Sequence, residues 1–79
     1  LKTARAALSG AEASVRSAQS ELARRREIAA GGGYSSRPVQ EAQRLLTAAQ
    51  SAQNAAQSEV ATTRANLNRA KWLEAEGLV

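Results

Sequence analysis

Four arginines, Arg24, Arg25, Arg26 and Arg37, crowd one short stretch of this 79-residue chain, together with Ile28, Gly31-Gly32-Gly33, Tyr34, Ser35 and Ser36. These residue types suit recognition. A guanidinium presents a fixed fork of donors to carboxylate, phosphate or carbonyl oxygens, and a serine hydroxyl both donates and accepts. They are poorly suited to catalysis, which needs a pocket, convergent groups and usually a perturbed ionisable residue. The chain has no His and no Cys. Its carboxylates, Glu12, Glu21, Glu27, Glu41, Glu59, Glu74 and Glu76, are scattered and mostly lie near basic neighbours. The three glycines lack the lysine and the preceding strand of a phosphate-binding loop. Without Cys there is also no disulfide framework and no thiolate metal site. The expectation is a protein that is not an enzyme, with no catalytic residues, no metal site and no cofactor.

The elements that hold this stretch are two long helices. Leu1, Leu8, Val15 and Leu22 recur at strict sevens, with Ala4, Ala11 and Ala18 three residues after the first three of them, the a and d positions of a heptad. This predicts a first helix over about residues 1–30, weakened at Gly10. Gly31-Gly32-Gly33 suits a helix end, because glycine reaches left-handed backbone conformations without a Cβ clash. Arginines near that end complement the negative pole of the helix dipole. Ser35 or Ser36 offers a side-chain oxygen to cap a second helix, and Pro38 is tolerated in a first turn while pushing Arg37 toward extended backbone. The cap falls at Ser35, Ser36 or Arg37. The second helix is predicted over about residues 38–75, with a seam of Val39, Leu46, Gln53, Val60 and Leu67 and companions Ala42, Ala49, Ala56, Thr63 and Ala70. Gln53 either fixes the register or reaches out to water. The tip loop between the helices spans about residues 31–37, and so short a connection favours antiparallel neighbours. The predicted fold is all-α, a two-helix coiled-coil hairpin.

Most of the apolar 43% is alanine, and large aliphatic side chains number about a dozen. A thick core is therefore out of reach, and a thin hairpin, stabilised further by a parent protein or an assembly, is what remains. The chain opens at Leu1, which suggests a segment of a larger protein. No run approaches the ~18 apolar residues of a membrane span. The formal net charge of +4 suits an acidic protein surface, nucleic acid or lipid headgroups, or simply a solvated helix face. An echo at an offset of 45 residues matches Leu1, Ala4, Ala7, Val15, Leu22 and Arg24 to Leu46, Ala49, Ala52, Val60, Leu67 and Arg69. With Gly77-Leu78-Val79 resembling the start of another turn, a further helix is an open possibility.

In the heptad frame Arg24 falls at c and Ile28 at g, four apart on one face and beside the seam. Ile28 either closes the hairpin core or is offered to a partner. Ser35 either caps the second helix or joins Arg24 and Ile28 in a small docking surface. The spacing of arginine, four on an aliphatic, seven on a serine resembles the hairpin tip motif of periplasmic adaptor proteins, or membrane fusion proteins, of the HlyD-like family. The Ala-, Gln- and Leu-rich heptads extend that resemblance over nearly the whole chain. It implies an element linking an inner-membrane transporter to a TolC-like outer-membrane channel, for efflux or type I secretion in Gram-negative bacteria. Several hairpins would line up into a tube, their tips meeting the channel through Arg24, Ile28 and Ser35. Lipoyl-like and β-barrel domains of the parent would meet the transporter. The localisation implied is the periplasm, with the parent attached to the inner membrane. The family usually has leucine where Ile28 stands, Gly31-Gly32-Gly33 is more glycine-rich than usual, and Pro38 falls in the first turn of the second helix. Arg69 and Leu73 repeat the first two motif positions.

Two other readings compete. Basic-tipped hairpins bind RNA in tRNA-binding arms such as that of seryl-tRNA synthetase, and here Arg24, Arg25, Arg26 and Arg37 would contact phosphates while Tyr34 stacked on a base. Against it, the basic residues do not continue as a stripe along either helix. A generic coiled-coil spacer or oligomerisation element would use the heptads alone.

Overall fold

The computed structural model describes residues 1–33 and 35–77 and consists of two helices, α1 (Lys2–Ala30) and α2 (Ser36–Ala75). They pack side by side into a rod with extents of 68 × 14 × 13 Å. The all-α hairpin expected from the heptads is the observed architecture. Tyr34, Leu78 and Val79, to which the sequence assigned base stacking and the start of a further turn, lie outside the described residues.

The core is a thin seam drawn from the a and d positions. Val15 and Leu22 of α1 pack with Ala42 and Leu46 of α2, and Ala18, Val39 and Ala49 lie partly buried against them. Ala42 is the most enclosed of these. Its methyl group is small enough for the helices to approach closely, while the larger side chains fill the space on either side of it. Ala4 is buried nearer the open end of the rod. Gln53 is half-buried in the seam and makes no side-chain hydrogen bond among the described residues, so the structure gives no support to a register-fixing role.

Several details depart from the expectations. Helix α2 begins two residues before Pro38, at Ser36, and its N-cap is Ser35, one of the three candidates. Ser35 has extended backbone, φ −73° and ψ −179°, and its hydroxyl makes no capping hydrogen bond. Arg37 is helical, not extended. Proline disfavours this conformation in its neighbour, and the tertiary contact of Arg25 with the Pro38 carbonyl holds α2 in place against that bias; Pro38 itself is tolerated because its missing N–H would have had no partner in a first turn. At the other end of the hairpin turn, the last turn of α1 carries no basic residue. The dipole field fades within one turn, so Arg24–Arg26 gain little from it and are held by the contacts described below.

The seam also ends sooner than the heptads do. Helix α1 has 29 residues and α2 has 40. Paired from the tip, α1 is used up while α2 runs on for about three further turns. Leu67 and Ala70, assigned to the seam, are exposed, Leu67 by 40%. They continue the periodicity without a helix to cover them among the described residues.

Gly10 and Leu22 test this account of the rod from opposite sides. A Cβ at Gly10 would meet nothing within 4 Å. Gly10→Ala is therefore expected to raise stability by about 1 kcal/mol, the full gain of alanine over glycine in an exposed helix interior. Leu22→Ala, which empties a buried seam position, is expected to lower it by about 2–4 kcal/mol. Urea or thermal unfolding of both variants followed by circular dichroism checks the pair.

Candidate functional site

The tip is built by the last turns of α1, residues 31–33 and 35 and the first turns of α2. Glu21 organises its basic residues. The Arg24 guanidinium grips the Glu21 carboxylate as a fork, with Nη2 at 2.7 Å from Oε1 and Nε at 3.2 Å from Oε2. Arg25 donates from Nε to Glu21 Oε1 at 2.8 Å and from Nη1 to the Pro38 carbonyl at 3.0 Å. That second bond crosses from α1 to α2. Arg26 crosses on another side, Nη2 donating to Gln43 Oε1 at 3.2 Å. Arg37 pairs more loosely with Glu41, four residues along α2, at 3.4 Å. The four arginines of the tip therefore divide their work. Arg25 and Arg26 brace the two helices to each other. Arg24 is held against its own helix with 62% of its side chain exposed.

The hydrogen bonds from Arg24 and then from Arg25 favour the ionised form of Glu21 and lower its pKa below the ordinary carboxylate value. One carboxylate faces two guanidiniums here, so the cluster keeps a net positive charge.

Beneath the turn lies Ile28. It is half-buried, and Gly33 N donates to its carbonyl at 2.9 Å. A Cβ at Gly33 would sit 2.6 Å from Ile28 Cγ2 and 3.2 Å from Ile28 O. The turn thus folds directly over the isoleucine, and glycine at 33 is what lets it close. Gly32, one residue earlier, takes the left-handed conformation, φ +83°. Of the two roles left open for Ile28, closing the tip is the one these contacts describe. Ser35 is exposed at the start of α2. Arg24, Ile28 and Ser35 are thus gathered at one end of the rod, Arg24 and Ser35 exposed and Ile28 half-covered.

One residue near the tip escaped the sequence reading. Leu45 is 59% exposed and lines a shallow surface hollow with Glu41, Arg44 and Ala48. It occupies a g position, next to the buried seam residue Leu46. Arg26 and Gln43, both at e, bond across one flank of the hairpin, which leaves the g positions Ile28 and Leu45 for the other flank. The signal was the Leu45-Leu46 pair, one leucine more than the heptad requires.

No described helix is long and apolar enough to cross a membrane. No family profile, curated protein or solved structure matches the chain.

Two measurements probe the tip. Because the folded-state pKa of Glu21 lies below its unfolded value, its contribution to stability is complete above the ordinary carboxylate range and is lost as pH falls through the lowered value. Acid titration followed by carboxylate NMR is expected to show Glu21 titrating below the ordinary carboxylate value, and Arg24→Gln together with Arg25→Gln should return it toward that value. Separately, Gly33→Ala is expected to lower stability by about 1 kcal/mol, since the Ile28 methyl and carbonyl must both yield. Thermal unfolding beside Gly10→Ala gives the contrast between a crowded glycine and an open one.

Proposed function

We propose that this hairpin is the docking element of a periplasmic adaptor, joining an inner-membrane transporter to a TolC-like outer-membrane channel for efflux or secretion, with the tip as the channel contact. The observation that carries this reading is the division of work among the tip arginines. Arg25 and Arg26 tie the helices together across the turn, so the end of a long thin rod is held in one shape. Arg24 stays largely exposed within a cluster that keeps a surplus positive charge. A braced, cationic end loses little conformational entropy on docking and suits a partner rim lined with carboxylates or backbone carbonyls. Ser35 adds a hydroxyl that the helix cap leaves unused. Ile28 contributes from beneath, by fixing the turn that carries Ser35.

The exposed Leu45 fits the second part of the proposal, side-by-side packing of hairpins into a tube. It lies on the flank of the rod and not at its end, and its hollow is a place for a neighbouring hairpin's side chain. The periplasmic localisation belongs to this same reading. The RNA alternative draws less from the geometry, because Arg25 and Arg26 direct their donors to Glu21, Pro38 and Gln43 within the hairpin.

Arg24→Asp and Ser35→Arg, each introduced into the full-length protein, are expected to abolish export while leaving helicity and protein level unchanged. Export assays in cells, with circular dichroism of the purified variants, check this. Normal export by both variants would remove the tip from the mechanism. A salt titration of RNA binding separates the alternative, which demands a steep loss of affinity with salt.

A further inference from the structure

The three consecutive glycines of the turn are glycine for different reasons. A Cβ at Gly31 would meet the Ile28 and Glu27 carbonyls at 3.6 and 3.8 Å, which are ordinary contacts, and its φ of −82° suits any residue. Gly32 takes the left-handed conformation, φ +83°, with nothing within 4 Å of a Cβ, so there the backbone itself favours glycine. Gly33 is not left-handed. Space alone excludes a side chain from it. That space is taken by the Ile28 Cγ2 methyl at 2.6 Å and, less severely, by the Ile28 carbonyl at 3.2 Å.

The hydrogen bonds define the motif. Gly32 N donates to Ala29 O at 3.0 Å and Gly33 N to Ile28 O at 2.9 Å. This pair of bonds closes a helix over a left-handed glycine, and it commonly carries an apolar contact between the residues at the places of Ile28 and Gly33. Here that contact is turned round. Position 33 brings no side chain, and the isoleucine methyl fills the room that a Cβ would need. A β-branched side chain in a helix has one strongly preferred χ1, so Cγ2 cannot swing aside without strain. Leucine, whose branch lies one carbon further out, would leave that room open.

We propose that Ile28 and Gly33 form a two-part conformational lock, in which the β-methyl at 28 is what requires glycine at 33. Together they hold the chain against α1 two residues before the N-cap Ser35. The lock belongs to the turn itself and does not rest on the adaptor reading. A double-mutant cycle in the 79-residue chain tests it, by thermal unfolding followed by circular dichroism. Gly33→Ala alone is expected to lower the melting temperature by about 4–8 °C. In the Ile28→Leu background the same change lowers it by no more than about 2 °C, the remainder coming from the carbonyl. In the Ile28→Val background, which keeps a β-methyl while shortening the side chain, the full loss returns. Gly31→Ala leaves the melting temperature unchanged or raises it in every background. The amide of residue 33 reports the lock directly: its protection from exchange falls about fivefold with Gly33→Ala alone and recovers when Ile28→Leu is added. The proposal falls if Gly33→Ala has the same effect in all three backgrounds, since the carbonyl alone would then exclude a side chain. It falls equally if Gly33→Ala has no effect in the unaltered chain. It falls too if the loss vanishes with Ile28→Val as it does with Ile28→Leu, because bulk at 28 and not the β-branch would then set the turn.

Discussion

Close approach of two helix backbones over alanine is the constraint on which the rest of this rod depends. Val15 and Leu22 meet Ala42 and Leu46, and the alanine between them is almost wholly enclosed. A larger residue at 42 would push the helices apart and uncover the leucines on either side. With so few large side chains, the rod has no second layer to fall back on. Its cohesion is concentrated in the half nearest the tip, where the buried cluster lies. The tip arginines add to that same half, Arg25 through the Pro38 carbonyl and Arg26 through Gln43.

The bracing contacts are individually modest, since ion pairs on exposed helix faces contribute little net stability. Their importance is geometric. Glu21 holds Arg24 and Arg25 together, and Arg25 then fixes where α2 begins. Ile28 under Gly33 fixes the path of the turn between them. A small recognition surface at the end of a rod depends on this kind of restraint, because each mobile side chain that must be ordered on docking weakens the complex.

The helices and their seam were legible in the sequence because a heptad is a property of one helix at a time. Leucine at every seventh position specifies a face regardless of what covers it. That same independence explains what was misread. Periodicity placed Leu67 and Ala70 in the seam, since nothing in a heptad states how far the partner helix extends. The cap of α2 stayed open between three residues for another reason. Serine, arginine and proline in a row admit several caps, and their choice depends on how the turn closes over Ile28. The gathering of Arg24, Ile28 and Ser35 at one end followed from spacing alone. Their separate roles did not. Three consecutive arginines look alike in sequence, yet successive residues project about 100° apart around a helix, and only the position of α2 decides which of them finds a carbonyl.

The two helices also close in the same way. Each end carries a seam leucine (Leu22 or Leu67), a basic residue at c (Arg24 or Arg69), an aliphatic at g (Ile28 or Leu73) and a glycine in the left-handed conformation (Gly32 or Gly77). The backbone angles at Gly31 and Glu76 agree closely. Local sequence thus sets how a helix stops. Burial is set by what packs against it: Leu22 is enclosed because α2 lies along it with Ala42 and Leu46. A seam position is therefore a property of two helices together, while a helix end is a property of one.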